Sequence, residues 1–158
     1  MEAPRFLVDQ NVGKLVRWLR LLGYDAVFFA GETDTQMVKQ ALAENRILLT
    51  RDTAIQLRKV AVSGKLLVIT FDTENPEAQM RQLLTWIPIL DNSNPFTRCL
   101  EDNTPLKSLD KIEVEKRVPP YTFKTQDEFM ECPMCCRVYW RGSHWRALES
   151  RLARFRTL

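Results

Sequence analysis

The sequence predicts an α/β fold built on a parallel sheet, and three observations carry that prediction. Short runs of branched apolar residues, FLV at 6–8, RILLT at 46–50 and KLLVIT at 65–70, are too short for helices and read as buried strands. The longer stretches between them place apolar residues at helical spacing. The connections are short, and β-α-β alternation of this kind predicts parallel strands covered by helices on both faces.

Taken in order, FLV at 6–8 is followed by a helix over 11–22, in which Val12, Leu15, Val16, Leu19 and Leu22 form the apolar stripe and Gly23 the stop. DAVFFA at 25–30 reads as a strand, and 33–45 as a helix with Met37, Val38, Ala41 and Leu42 inward. RILLT leads into a helix over 53–62 that Ser63 and Gly64 end. KLLVIT leads into a helix over 76–86, with Pro76 suited to its first turn. The texture then changes: Pro88, Asn92, Ser93, Asn94 and Pro95 resemble a linker. A boundary near residue 92 divides the chain into 1–92 and 93–158. A last helix begins near Ser143, with Trp145, Leu148, Leu152 and Phe155 as its apolar stripe.

Four aspartates stand at strand ends or at the mouth of a helix. Asp9, Asp52 and Asp72 follow three of the apolar runs, and Asp34 opens the second helix. In an open parallel sheet, ligands bind beyond the carboxyl ends of the strands, so acids placed there converge on one crevice. Carboxylates gathered without histidine suit a hard cation such as Mg²⁺ or Mn²⁺. Each acid also has a local explanation: Asp34 and Asp52 as helix caps, Asp72 as the start of a turn. Asp9 has the weakest such explanation, because Gln10 and Asn11 follow it and could cap the next helix.

An apolar fraction of 45% over 158 residues is that of an ordinary globular core. The N-terminus does not read as a secretory signal, and no run nears the roughly 18 apolar residues needed to span a bilayer. The expectation is a soluble, cytoplasmic protein. A formal charge of +3 hides its distribution. Arg137, Arg141, Arg146, Arg151, Arg154 and Arg156 crowd the C-terminus, and Lys14, Arg17 and Arg20 lie on the first predicted helix. Such faces either attract phosphate backbones or are simply solvated.

All four cysteines fall in the last third. Cys99 and Asp102 precede Cys132 and Cys135 by about thirty residues, each pair being separated by two residues. Two C-x-x-C knuckles at such a separation would mark a zinc ribbon, with Zn²⁺ structural; here Asp replaces one cysteine. Cys136 or His144 is an alternative fourth ligand, and packed, metal-free cysteines are the remaining alternative. His144 is the only histidine, which excludes chemistry built on a histidine pair.

FLVDQNVGKLVRWLRLLGYD at 6–25, RILLTRD at 46–52, RCLEDN at 98–103 and CPMCCRVYWRGSHW at 132–145 together resemble the Mut-seven C-terminal RNase domain family. The resemblance runs from about Arg5 to Leu148. It implies a PIN-like α/β sandwich, a small zinc-ribbon-like module, a C-terminal helix and metal-dependent cleavage of RNA. Asp9, Asp34 and Asp52 match family acids, Asp72 corresponds to an acid after the fourth strand, and Lys14 and Arg17 match basic positions of the first helix. Asp102 departs from a knuckle cysteine, and Gln10 and Asn11 depart from an apolar pair.

The expected mechanism has Asp9, Asp52 and Asp72 holding Mg²⁺ or Mn²⁺, with Asp34 direct or through water. Lys14, Arg17 and Arg51 would hold flanking phosphates. Trp140 and Trp145 either stack on bases or belong to the core of the ribbon. An alternative function is an RNA-binding or ribosome-associated module that keeps the fold without turnover. An aspartate-nucleophile phosphatase fits less well, since it wants an acid where Asn11 stands.

Overall fold

The computed structural model describes residues 2–157. Four strands form one parallel sheet: β1 (Phe6–Val8), β2 (Ala26–Phe28), β3 (Ile47–Thr50) and β4 (Val68–Thr70), in the order β2-β1-β3-β4. Register pairs Val8 with both Phe28 and Leu49, and Thr50 with Thr70. The chain therefore leaves β1 toward one edge and returns past it to the other. The crevice between the ends of β1 and β3 is a topological switch point.

Alternation along β1 sends its side chains to two cores. Phe6 and Val8 join Leu49 and Ile69 under α1 (Leu15–Leu21) and α4 (Pro76–Trp86). Leu7 and Leu48 lie on the opposite face with Met37, Val38 and Ala41 of α2 (Asp34–Ala43) and with Ile55. Both faces are covered, which is why these strands read as continuous apolar runs.

Helix α1 is shorter than its periodicity predicts, because Gln10–Val12 forms a separate 3-10 turn. It ends on Gly23, whose φ of 89° places it in the left-handed region. The amide of Tyr24 bonds the carbonyl of Leu19 at 3.0 Å and closes the cap. A side chain here would be strained, and its Cβ would stand 2.1 Å from the carbonyl oxygen of Asn94. The helix expected over 53–62 is instead a 3-10 turn, Thr53–Leu57, and the short α3 (Lys59–Val62), broken where Arg58 is extended. Only Ile55 of the first turn is buried and Leu57 points to solvent, so no continuous apolar stripe holds a longer helix to the sheet.

Beyond α4 the stretch that resembled a linker is packed down. Ile89 and Leu90 are buried, and the Tyr24 hydroxyl donates to the carbonyl of Ile89 at 2.6 Å. A second, antiparallel sheet follows: β5 (Lys107–Leu109), β6 (Phe129–Glu131) and β7 (Val138–Tyr139). With α5 (Lys111–Val114) and α6 (Pro120–Thr125) it encloses a small core of Val114, Val118 and Phe129. The last helix, α7 (Ser143–Ala153), returns to the first core through Trp145 and Leu152, and Phe155 joins them from the 3-10 turn that follows, Arg154–Thr157. Trp145 is thus a core residue, and Trp140 packs on Phe129 with 6.4 Å between ring centroids. Among the described residues no helix is long and apolar enough to cross a membrane.

Candidate functional site

At the switch point Asp9 follows β1 directly. Its Oδ1 accepts the amide of Gln10 at 2.7 Å, capping the 3-10 turn, and its Oδ2 accepts the Thr50 hydroxyl at 2.7 Å. The same hydroxyl accepts the amide of Asp52 at 3.0 Å. Thr50, wholly buried at the end of β3, therefore joins the two acids across the crevice. Asp52 also caps its own turn, accepting the amide of Ala54 at 2.9 Å.

Asp34 has no capping duty. Thr33 is the N-cap of α2, in a capping box with Gln36, and Asp34 is the first helical residue. The Asp34 carboxyl meets that of Asp52 instead. A hydrogen bond shared with Asp52 raises its pKa, burial and the charges of Asp52 and Asp9 add to the rise, and Arg58 opposes it. Three of the four acids therefore crowd one edge of the sheet, and a cation there relieves their repulsion. Asp72 lies two residues beyond the outer strand, β4, exposed, with its carboxylate accepting a hydrogen bond from Gln82 of α4.

The basic residues divide. Lys14 is exposed and has no ion-pair partner among the described residues. Arg17 faces Glu101 at 3.4 Å and Arg51 pairs with Glu74 at 3.1 Å. The Arg51 amide donates to Asn11 Oδ1 at 3.1 Å, while its buried Nε has no partner. Arg20 is not part of a basic face. It is buried and donates to the carbonyls of Ala26, Leu100 and Glu101 at 3.0–3.1 Å, tying α1 to the knuckle that follows.

That knuckle faces a second one. The ligand atoms of Cys99, Asp102, Cys132 and Cys135 all lie within 4.8 Å of one another. Cys99 Sγ is 3.7 Å from Cys135 Sγ, and Cys132 Sγ is 3.3 Å from Asp102 Oδ2. An ion holding sulfurs tetrahedrally at about 2.3 Å spaces them about 3.8 Å apart, and sulfur from carboxylate oxygen about 3.5 Å apart. The cluster thus has the dimensions of a closed metal site. Cys136 and His144 lie outside it, which leaves Asp102 as the fourth donor.

The electrostatics agree with a cation. Burial works to raise the Asp102 pKa, but bonds from Thr104, Cys132 and Cys99 hold the carboxyl well below the usual range. For Cys135 a backbone bond from Arg137 works downward, yet partial burial and the neighbouring Cys132 and Cys99 push the thiol up to about 11. A metal coordinated there would hold the Cys135 thiol deprotonated in spite of this rise. The Tyr139 hydroxyl, 3.1 Å from Cys99 Sγ, also accepts the amide of Leu100 and holds the ligand from outside.

A family model described as the Mut7-C RNAse domain matches residues 4–152. The chain belongs to this family. No curated protein and no solved structure matches it. The Mut7-C match spans both sites, the sheet edge and the cysteine cluster. Within this Mut7-C chain two residues of the sheet edge escape a reading by motif. Thr50 links Asp9 to Asp52, and Asn11 anchors the Arg51 backbone. The Thr-Arg-Asp sequence at the end of β3 carried the signal for the first.

Proposed function

We propose that this chain is a metal-dependent ribonuclease of PIN-like fold, residues 1–92, carrying a zinc-ribbon-like module over 93–158. The observation that supports it best is the Asp9–Thr50–Asp52 bridge at the switch point, with Asp34 against Asp52. Asp9 and Asp52 hold Mg²⁺ or Mn²⁺, Asp34 assists directly or through water, and Asp72 contributes from the neighbouring strand end. When bound, such ions supply an activated water and neutralise charge on the leaving oxygen. Hydrolysis of this kind leaves 5′-phosphate and 3′-hydroxyl ends.

The chain's own residues orient the substrate. Lys14 is free to take a phosphate, and Arg17 and Arg51 sit in exposed ion pairs, each worth about 0–1 kcal/mol, from which a phosphate can draw them. The Thr50 hydroxyl orients the Asp9 carboxylate and, by accepting the Asp52 amide, fixes the backbone that carries the second acid. Cys99, Asp102, Cys132 and Cys135 hold Zn²⁺ in a structural role, and the small core of Val114, Val118 and Phe129 gains folding free energy from it.

The test is cleavage of labelled single-stranded RNA with and without Mn²⁺, by the parent and by Asp9→Asn. The reading expects cleavage that needs the metal and falls about 100-fold or more in the variant, the scale of a few kcal/mol of lost transition-state stabilisation. Equal cleavage by the variant rejects it.

A further inference from the structure

Beside the sheet edge, a cleft of about 480 Å³ opens between α1, the start of α4 and α7. Lys14, Arg17 and Arg151 stand on its walls, and Trp18, Leu21 and Leu148 are among its apolar lining. Lys14, Arg17 and Leu21 share one face of α1 at helical spacing, so a single helix presents two cations and an apolar contact in line. The third cation comes from α7. Arg151 lies over the Trp18 ring at 5.3 Å and bonds Glu77 through Nη2 at 3.1 Å, which holds its planar fork in place while other donors remain unused.

The cleft does not stand alone. A shallower groove lined by Gln10, Asn11, Gly13, Lys14, Glu74 and Pro76 adjoins it, with Lys14 and Pro76 common to both. Gln10 is the residue whose amide Asp9 accepts, and Glu74 is the partner of Arg51. A continuous path therefore leads from the acids past Lys14 to Arg151, with three cations against the one carboxylate of Glu77 in the larger cleft.

We propose that this cleft is a subsite for one unpaired nucleotide of the RNA strand, displaced along the path from the scissile phosphate, with Arg151 of the C-terminal helix as its phosphate ligand. The proposal rests on the ribonuclease reading. The volume lies in the range of small-ligand sites, the charge matches a phosphate, and the apolar lining matches a base or ribose. A concave cleft of this kind admits a splayed-out nucleotide and not a paired one, so the substrate class is single-stranded RNA.

The experiment measures binding of fluorescein-labelled octa-uridylate by anisotropy across a salt series in Mg²⁺, with Asp9→Asn as the parent to prevent cleavage. Arg151→Gln and Leu148→Trp are made in that background. Arg151 is half exposed, so its substitution leaves the fold intact, and circular dichroism verifies this. Arg151→Gln is expected to raise Kd several-fold and to lower the slope of log K against log salt by about 0.7, one single-strand phosphate contact. Arg151→Lys should restore the slope, a recovery that a merely structural role for Arg151 does not produce. Leu148→Trp, which fills the cleft without changing charge, should also raise Kd. Parent-like binding by Arg151→Gln and Leu148→Trp overturns the subsite while leaving the ribonuclease reading standing. Equal binding of an RNA duplex overturns the assignment to an unpaired nucleotide. A parent that binds no RNA overturns both readings.

Discussion

Asp25 stands before β2 and clamps the sheet to the first knuckle, so removing its charge while keeping its shape probes how the two halves of the chain are joined. Its Oδ1 accepts from Arg46 Nη1 at 2.7 Å and from Asn103 Nδ2 at 2.7 Å. Arg46 is nearly buried, with a side chain 9% exposed, and retains Glu44 as a second partner at 2.6 Å. Asp25→Asn preserves the volume but removes the acceptor's charge, which weakens each bond by about 1 kcal/mol. With Glu44 still compensating Arg46, the loss is about 2 kcal/mol, or roughly 5 °C in Tm for a chain of this size.

The pH dependence gives the sharper test. Burial works to raise the Asp25 pKa, but the bonds from Arg46 and Asn103 and the charges of Arg46 and Arg98 outweigh it and hold the carboxyl below its ordinary value. A depressed folded-state pKa contributes stability that is fully present above the unfolded value, about 3.9, and is lost as pH falls through the folded one. Thermal or urea unfolding of parent and Asp25→Asn should differ by a constant amount from neutral pH down to about 5, and the gap should begin to close near about 4 and vanish only below the depressed folded value, where protonated Asp25 resembles Asn. Equal stability at neutral pH, or a gap that persists undiminished in acid, refutes the reasoning.

Three further outcomes follow from the geometry. Thr50→Val removes the hydroxyl between Asp9 and Asp52 in a buried position, and it should cost about 1–2 kcal/mol of stability and lower the RNA cleavage rate about tenfold or more, read by unfolding and single-turnover kinetics. Native mass spectrometry should find one Zn²⁺ per chain; Asp102→Cys should slow its release to a chelator and Asp102→Ala should speed it, since thiolate is the softer donor. Gly23→Ala meets both a positive φ and the Asn94 carbonyl, and should destabilise by more than about 1 kcal/mol in urea unfolding.

Much of this arrangement was readable from residue patterns, for identifiable reasons. The strands carry branched residues on both faces because both are covered, so FLV, RILLT and LLVIT stood out without alternation. The ends of those runs then located Asp9 and Asp52. The misreadings came from interactions distant in sequence. Arg20 resembles its exposed neighbours on a basic helix, yet three carbonyls, two of them some eighty residues away, draw it inside. Thr50 reads as an ordinary strand former, and its bond to Asp9 spans 41 residues. The break at Arg58 reflects the lack of a continuous buried stripe beyond Ile55, which spacing alone overstated. For Asp34 the answer was local: the Thr33–Gln36 capping box frees the acid from the role that its position suggested.

The most direct measurement is the initial rate of RNA cleavage as a function of Mn²⁺ concentration, for the parent, Asp9→Asn and Asp52→Asn. The account predicts a rate that saturates with Mn²⁺ in the parent and that neither variant recovers at any Mn²⁺ concentration, because each loses a carboxylate at the switch point. Metal-independent cleavage by the parent, or full activity in both variants, contradicts it.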